Sequence, residues 1–371
     1  MGYIWQNNKW PDFTVDVDKL REKYESYLYQ KGRTDQIFNL LTPKARNEFF
    51  SDTIASDIVA SNEIEGISVS YESVYSSVAK ALHIETDLKG YDRNAEAQAA
   101  LALSVRNDFG DIDKNKILSW HRKLFEFAPK TAKNLVPGEF RRKPVYVMRF
   151  SGRMEEEVVY EAVPAEKVDE EIDCFVNWIK DNNENYPPVV RSAVASLWFV
   201  SIHPFPDGNG RMSRLISDAL LGGGLESKYL SASSEILLNK KEYYAKLYDA
   251  QHSESMDCTP YVSWFIDLCT EGMQKVENIC LQKIRLSSFM ASLDPCEFNS
   301  REITMLYKLA SGTFKGKLTP EKWCKITKCT SATATRDLAH LVEKNILLKT
   351  GDNGRSQSYF LNPEVAGNLS D

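Results

Sequence analysis

The chain has 371 residues, of which 43% are hydrophobic and 26% are charged, with a formal net charge of -6 and a pI near 5.6. A chain of this length can bury a substantial core, and we expect two or three domains. The net negative charge excludes a protein that coats nucleic acid with its whole surface, although it permits a local basic face.

Cysteine usage and hydropathy indicate a compartment. No apolar run approaches the length of about 18 residues that predicts a membrane helix, and the first residues lack the basic and apolar regions of a signal peptide. The seven cysteines are an odd number without CxxC spacing, which is typical of reduced thiols. We therefore expect a cytoplasmic protein that makes no membrane contact.

Apolar residues recur at helical spacing through most of the chain, which predicts a mainly α protein. Helices are predicted at 16–32, 45–65, 71–83, 93–110, 115–126, 165–183, 187–202, 209–222, 239–252 and 259–290. Between the fifth and sixth helices, residues 144–148 and 158–164 are typical of two short strands around a Ser151-Gly152-Arg153 turn. We expect a β-hairpin there.

The last part of the chain has a different pattern. Asp294-Pro295 disfavours a continued helix, and we divide the chain into an N-terminal helical region at 1–110, a core at 111–292 and a further domain at 296–371. The last domain is predicted to contain helices at 301–310, from Thr319-Pro320 onward and at 331–344, followed by strands at 346–349 and 358–361.

This order of three helices and two strands resembles a winged helix-turn-helix domain. From residue 296 to 371 there are eleven Lys and Arg against eight Asp and Glu, so the domain is mildly basic within an acidic protein. Such domains bind DNA or proteins, and both alternatives stay open. Candidate DNA contacts are Thr330, Ser331, Thr333, Thr335 and Arg336 on the third helix, with Lys349 and Arg355 on the wing.

The most informative stretch is residues 203–214, whose sequence is HPFPDGNGRMSR. An apolar helix precedes it and helical periodicity resumes after it, so the stretch is a loop that opens a second helix. The first turn of a helix attracts anions through its exposed N–H groups and its dipole. Gly208 and Gly210 permit close approach of the backbone, so we expect a phosphate here.

The polar side chains of the stretch suit phosphate chemistry. His203 has an ordinary pKa of about 6.5, which fits a general base. Asp207 is a hard oxygen ligand suited to Mg²⁺. Arg211 and Arg214 supply guanidinium groups near one face of the new helix. Phe205 is expected to anchor the loop in the core.

The pattern HPFxDGNGRxxR is present in full, and on these residues the chain resembles the Fic family of nucleotidyltransferases. The resemblance implies a Fic-type helical bundle with a hairpin flap, and transfer of AMP from ATP to a Tyr, Thr or Ser hydroxyl of a protein. It implies His203 as the base and Asp207 as the Mg²⁺ ligand. The nucleotide phosphates would be held by Gly208, Asn209, Gly210, Arg211 and Arg214.

The resemblance extends to three further segments. Ser61, Glu65 and Gly66 match the inhibitory motif [S/T]xxxE[G/N], which implies that Glu65 pairs with Arg214 and keeps its guanidinium from the γ-phosphate. Residues 144–164 would be the flap that aligns the target segment. The adenosine contacts would be Asn239, Tyr243 and Tyr244. The first residues also resemble a small N-terminal module of some Fic proteins, with Trp5, Trp10, Pro11 and Phe13 as its marks.

Several alternatives remain at this point. The site also suits an enzyme that removes AMP or transfers another phosphate group, and the last domain suits a transcriptional regulator that senses nucleotide through the Fic core. Self-modification and a homodimer are further expectations. DNA is an expected partner only through residues 296–371.

Overall fold

We describe a computed structural model of the chain. It describes residues 2–88, 90, 92–107, 112–127, 135–151, 155–181, 185–222, 228–294, 296–350 and 357–366. Tertiary contacts divide the chain into two compact units, 1–276 and 277–371. The structure is mainly helical, which confirms the predicted fold class.

The first unit contains two short 3₁₀ helices, at Ile4–Gln6 and Ala165–Lys167, and a series of α-helices interrupted by one hairpin. The helices before the hairpin are α1 (Val17–Leu40), α2 (Pro43–Ile64), α3 (Tyr71–Ala81), α4 (Arg93–Asn107) and α5 (Lys114–Leu124). The hairpin consists of β1 (Tyr146–Ser151) and β2 (Glu155–Glu161). The helices after it are α6 (Val168–Asp181), α7 (Pro188–Ile202), α8 (Asn209–Leu221), α9 (Ala232–Leu238), α10 (Lys240–Gln251) and α11 (Thr259–Ser292), and α11 contains the boundary between the units.

Helix α7 is the central helix of the first unit. Pro188 occupies its first turn, where a missing N–H costs nothing. Every residue from 189 to 202 is buried, as expected of a helix that is apolar on all sides. Around it, α5, α6 and α8 contribute one apolar cluster that includes Trp198, Phe199, Phe205 and Met212. The loop that joins α7 to α8 therefore begins and ends within this packed core.

Helix α2 has a capping residue at its start and a left-handed glycine at its end. Thr42 Oγ1 accepts a hydrogen bond from Ala45 N at 3.2 Å, and Pro43 follows at the first helical position. At the other end Gly66 adopts φ +75°, a left-handed conformation that suits glycine and closes the helix. Glu65 is consequently fixed as the C-cap residue.

A buried charge network joins three helices of this unit. Arg106 Nη2 on α4 lies 3.0 Å from Asp57 Oδ2 on α2 and 3.0 Å from Asp218 Oδ2 on α8. All three side chains are at least 94% buried, so their charges are almost fully desolvated. Asp57 Oδ1 also accepts a hydrogen bond from Ser231 Oγ at 2.7 Å. The network fastens α2 to α8.

The second unit begins within α11, and after the C-terminal part of that helix its described residues form three helices, a hairpin and a final turn of helix. They are α12 (Ser300–Ala310), α13 (Pro320–Thr327), α14 (Ser331–Glu343), β3 (Leu347–Lys349), β4 (Tyr359–Leu361) and α15 (Pro363–Ala366). Trp323, Leu338, Leu341 and Leu347 form the centre of its apolar core. The element order is the one expected from the sequence, and the winged-helix interpretation stays a prediction.

Several features differ from the sequence-based expectation. Helix α1 ends at Leu40 rather than at residue 32, and the short α15 was not predicted. Helix α9 was missed, because its seven residues are too short for helical periodicity to be recognised. The hairpin strands begin and end two to three residues from the predicted bounds. The central turn residues Gly152 and Arg153, the residue Pro295 and the wing residue Arg355 lie outside the described residues.

Candidate active site

His203, the residue predicted to act as the base, stands at the end of the central helix. It is the C-cap of α7 and adopts a left-handed backbone conformation with φ 54° and ψ 57°, which is uncommon for a residue other than glycine. Its Nδ1 lies 3.2 Å from the carbonyl oxygen of Val200. Because a carbonyl only accepts, Nδ1 carries the proton and Nε2 is left with a free electron pair.

The surroundings of His203 keep its ring neutral. Burial lowers the pKa of His203 to about 4, and the nearby Arg141 guanidinium acts in the same direction, whereas the hydrogen bond to Val200 opposes the shift. A base must be unprotonated to accept a proton, so this environment favours that role at neutral pH.

The start of α8 presents backbone N–H groups beside His203. Gly208 is the N-cap with φ 83°, and a side chain there would collide with the Phe125 ring. Asn209 holds the loop, since its Oδ1 accepts from Phe205 N at 2.9 Å and its Nδ2 donates to Phe205 O at 2.8 Å. The next N–H groups, at positions 209 to 211, have no partner within the helix. They form an anion cradle.

Gly208 and Arg211, two further residues predicted to hold the phosphates, both contact the carboxylate of Asp207. The N–H of Gly208 donates to Asp207 Oδ1 at 2.5 Å, and Arg211 Nη2 lies 3.5 Å from the same oxygen. Arg211 also lies over the Phe125 ring at 4.8 Å. These contacts orient the carboxylate of Asp207, which remains 29% exposed.

Asp207 is the residue that fits a magnesium ion. Among the described residues no cluster of three or more His, Cys, Asp or Glu side chains could hold a metal by itself. One partly exposed carboxylate beside an anion cradle suits Mg²⁺, which binds through one or two carboxylates together with substrate phosphates and water. The donor set therefore fits an ion that arrives with a nucleotide.

The structure brings Arg214 and the predicted inhibitory residues together across a sequence separation of about 150 residues. Arg214 Nη2 donates to Glu65 Oε1 at 2.7 Å and to Ser61 O at 2.8 Å, and its Nε donates to Ser61 Oγ at 2.9 Å. The Arg214 side chain is 5% exposed. Its Nη1 makes no hydrogen bond within the described residues. Arg214 is thus attached to the end of α2.

Glu65 extends its carboxylate over the anion cradle. A Cβ at Gly210 would collide with Glu65 Oε1, so this oxygen lies directly against the first turn of α8. Although burial acts to raise the pKa of Glu65, Arg214 and then Arg211 lower it below its usual value. Glu65 is therefore ionised at neutral pH and occupies the position of an anionic ligand.

Of the predicted adenosine residues, Tyr243 lies beside Arg214 and Tyr244 beside the end of α2. Tyr243 is 3% exposed and borders Arg214, and burial raises its pKa. Tyr244 is 44% exposed, and its hydroxyl donates to Ile64 O at 3.4 Å. Asn239 is the N-cap of α10, and its Nδ2 donates to Glu235 O at 3.1 Å, so its amide already has a partner within the protein.

The hairpin stands beside the site as an open two-stranded sheet. Met148 pairs with Val158, and both side chains are exposed, as is Tyr146. At the base of the hairpin the buried Tyr160 hydroxyl donates to Ser201 O at 2.9 Å, two residues before His203. Strand edges that have no partner among the described residues can pair with an extended peptide.

Sequence reasoning missed Arg141, which holds the loop after α7. Its Nε donates to His203 O at 2.7 Å and its Nη2 to Ile202 O at 3.3 Å, and Nη2 also donates to Val163 O at the base of the hairpin. Burial lowers its pKa to about 10. A lone arginine in a PGEFR segment gives no signal of this role, because the carbonyl acceptors are more than 20 residues away along the chain.

His121 supports the same loop from the other side. It is fully buried and stacks on Phe205 with ring centroids 3.7 Å apart. Its Nδ1 accepts from Gly138 N at 2.9 Å, and its Nε2 lies 3.2 Å from Asp207 O. Burial lowers its pKa to about 4, so the ring is neutral and both nitrogens have partners.

The N-terminal segment, which contains Trp5, Trp10 and Phe13, packs against the hairpin and helices α6 and α7. Trp5 Nε1 donates to Glu161 O at 2.7 Å, at the end of β2. Trp10 Nε1 donates to Glu171 Oε2 at 2.8 Å. Phe13 packs on Trp198 of the central helix with ring centroids 5.6 Å apart. The segment thus contacts both the hairpin and the core.

No helix among the described residues has the length and hydropathy for a membrane crossing.

Comparison with known proteins agrees with the fold and the motif. Residues 111–221 match the model of the Fic/DOC family, and residues 3–84 match that of a domain of unknown function, DUF4172. Protein adenylyltransferase fic-1 of Caenorhabditis elegans is 27% identical over 186 residues, which are 50% of this chain and 32% of that protein. Protein adenylyltransferase Fic of Aedes aegypti is 32% identical over 173 residues, which are 46% of this chain and 29% of that protein.

A solved structure extends the likeness of the fold. A Fic family protein from Desulfovibrio desulfuricans G20 has a TM-score of 0.51 over 91% of this chain and 95% of its own, at 20% identity. The fold and the site define a helical protein with a histidine beside an anion cradle. Residues 111–221, about 30% of the chain, match the Fic/DOC family. The chain spans less than a third of the length of each curated relative given above.

Proposed function

We propose that the protein is an autoinhibited protein adenylyltransferase, which transfers AMP from ATP to a hydroxyl side chain of a protein. The observation that carries the proposal is the contact of Glu65 with both Arg214 and the first turn of α8, beside a neutral His203. This site has a base, an anion cradle and an acidic group that occupies the cradle. The names of the curated relatives support the reaction class.

In the proposed reaction, His203 Nε2 accepts the proton of the target hydroxyl while the hydroxyl oxygen attacks the α-phosphorus of ATP. The bond from the α-phosphorus to the β-phosphate bridging oxygen breaks, and pyrophosphate leaves. The proton remains on His203 until solvent removes it. Because little covalent work falls to the protein, positioning and charge stabilisation account for most of the catalysis.

The groups around His203 would supply that positioning. Backbone N–H groups at the start of α8 would bind the phosphates, and Arg211 and Arg214 would offset their charge. Asp207 would hold Mg²⁺, which when bound neutralises phosphate charge and favours departure of pyrophosphate. Tyr243, beside Arg214, and Tyr244, beside the end of α2, would contact the adenosine part of the nucleotide.

Inhibition follows from competition for Arg214. Glu65 and the γ-phosphate are both anions, and each would pair with the same guanidinium. While Glu65 is in place, ATP would bind with its γ-phosphate displaced and its α-phosphate out of line with the target hydroxyl. Because 31% of the Glu65 side chain is accessible, an incoming phosphate would reach it directly.

The target would dock at the hairpin, within residues 144–164. Its exposed Tyr146, Met148 and Val158 offer apolar contacts, while the strand edge offers main-chain hydrogen bonds. The hydrogen bond from Tyr160 to Ser201 O joins this docking strand to the residues just before His203. Segments of the same chain that reach the hairpin would be self-modified.

The reaction class is tested with ATP labelled at either end. The Glu65→Gly variant is incubated with Mg²⁺ and either α-labelled or γ-labelled ATP, and protein-bound label is measured after denaturation. We expect label from the α-position alone, and none when His203→Ala is added to the variant. Label from the γ-position alone would replace adenylyl transfer with phosphoryl transfer, and label from neither would contradict the proposal.

A further inference from the structure

The second unit has a concentrated basic segment that the transferase site does not use. Residues 315–336 contain six Lys and Arg and one Asp or Glu, a net charge of +5 in a chain whose total is -6. The basic residues are Lys315, Lys317, Lys322, Lys325, Lys328 and Arg336. A local field of this sign on an acidic protein favours a polyanionic partner.

The segment is folded as two helices with a short turn. Helix α13 ends at Thr327, Lys328 adopts φ 53°, and α14 begins after Thr330, whose side chain caps it. Three residues therefore separate the helices, the connection found in helix-turn-helix DNA-binding motifs. In those motifs the second helix enters the major groove.

A buried acid fixes the pair of helices. Asp337 of α14 accepts hydrogen bonds from Arg301 at 2.9 Å, from Trp323 Nε1 at 3.2 Å and from Asn299 Nδ2 at 3.1 Å. Although burial acts to raise the pKa of Asp337, these partners lower it. The carboxylate is ionised, but Arg301 neutralises it inside the unit, so it does not offset the basic surface.

The outward side of α14 is suited to close approach. The helix buries Ala334, Leu338 and Leu341, and its opposite side exposes Ala332, Thr335, Arg336 and Ala339. Small side chains around one arginine let the helix backbone approach a groove floor while the guanidinium reaches a base or a phosphate. A helix of this diameter fits the major groove, which is about 12 Å wide.

The basic side chains around this helix are available to a ligand. Lys325, Lys328 and Arg336 are exposed, and in the described part of the chain none of them forms a salt bridge. Lys349 at the end of β3 is exposed as well. Unpaired cations at the edges of a groove-sized helix fit the two rows of phosphates that flank a major groove.

We propose that residues 315–349 bind double-stranded DNA, with α14 in the major groove and Lys325, Lys328 and Lys349 on the flanking phosphates. This activity is separate from the proposed transferase reaction and does not depend on Glu65 or His203. The expected affinity is mainly electrostatic, and it falls steeply with salt because bound phosphates release counterions.

The test is a fluorescence-anisotropy titration of the full chain against a mixed-sequence duplex of about 20 base pairs, at salt concentrations from about 50 to 200 mM. Wild type is compared with the triple variant Lys325→Gln, Lys328→Gln, Arg336→Gln. We expect wild-type binding that weakens linearly in logarithmic salt. The triple variant should bind at least tenfold more weakly at the lowest salt, with a slope shallower by about 2 to 3.

A second triple variant controls for net charge. Arg21→Gln, Lys44→Gln and Lys80→Gln remove the same charge from exposed side chains of the first unit. This variant should bind DNA as wild type does, and circular dichroism checks that both variants are folded. Three outcomes would overturn the proposal: no wild-type binding at the lowest salt, equal loss in both triple variants, or tighter binding to a single strand or to double-stranded RNA of the same sequence.

Discussion

At the level of single residues, the site depends on the protonation state of His203 and on the Arg141 guanidinium that binds its carbonyl group. His203 is a base only while neutral, and its environment lowers its pKa to about 4. Arg141 contributes to this state by its charge and fixes the carbonyl group of the same residue. The two residues therefore give two linked predictions.

The first prediction concerns the pH dependence of transfer. A lowered pKa means that His203 stays neutral as the pH falls below about 6.5, its ordinary value, and becomes protonated only near pH 4. The Glu65 carboxylate raises the pKa of His203, so its removal in the Glu65→Gly variant leaves this pKa below the ordinary histidine value. We expect its single-turnover rate to be flat from about pH 5.5 to 8.

The measurement uses single-turnover labelling at constant ionic strength, with circular dichroism at each pH to confirm that the protein remains folded. An acid limb with a midpoint near the ordinary histidine value of about 6.5 would contradict the neutral-base assignment.

The second prediction concerns Arg141 as a positioning residue. In the Glu65→Gly background, Arg141→Met removes the hydrogen bonds to the carbonyl groups of Ile202 and His203. We expect kcat to fall by about 10- to 100-fold with little change in the KM for ATP, since small displacements of a base are costly. The loss of a positive charge should also move the acid limb to higher pH.

Arg142→Met is the matched control for Arg141, because the next residue is an exposed arginine. Arg141→Lys keeps the charge without the planar fork, so it should lose kcat but retain the position of the acid limb. If Arg141→Met and Arg142→Met have equal kcat and equal pH profiles, Arg141 does not position the base.

At the scale of elements, the fastening of α2 to α8 decides where Glu65 lies. Burial, together with the Asp57 carboxylate, raises the pKa of Asp218 despite the nearby Arg106. Against the effect of burial, Arg106 and Ser231 lower the pKa of Asp57. One carboxylate is then ionised and the other protonated, so the buried group of three has no net charge.

This charge balance predicts unequal costs of substitution. Asp218→Asn imitates a protonated carboxyl and should lower the free energy of unfolding by less than about 1 kcal/mol. Arg106→Met leaves a buried carboxylate without its partner and should cost about 3 to 5 kcal/mol. Urea unfolding of the first unit, followed by circular dichroism, compares the two. Equal losses would contradict the assignment of the proton to Asp218.

Strongly periodic elements could be read from the sequence, and those that depend on tertiary contacts could not. The apolar run at 189–202 and the motif at 203–214 predicted α7, α8 and the loop between them. Helix α9 escaped because a seven-residue helix has no clear apolar stripe. The role of Arg141 escaped because its acceptors are brought to it only by the folded hairpin and α7.

At the scale of the whole molecule, two distant parts of the sequence meet at one guanidinium. Arg214 lies on α8, while Glu65 ends a helix that belongs to a different part of the chain. The resemblance to Fic proteins implied this pairing, which neither segment alone predicts, since a glutamate at a helix end is usually a solvated charge. The structure places the two groups 2.7 Å apart. In the proposed function, Glu65 and the γ-phosphate compete for Arg214.

The most direct measurement of this claim compares initial rates of AMP incorporation from α-labelled ATP in wild type, Glu65→Gly and Glu63→Gly. Glu63 is exposed at the same helix end, so its substitution matches the change in charge and helix propensity without touching Arg214. Release of one charge-assisted hydrogen bond, about 1.5 to 3 kcal/mol, predicts a rise of roughly 10- to 100-fold in Glu65→Gly alone. Equal rates in wild type and Glu65→Gly, or an equal rise in Glu63→Gly, would contradict the account.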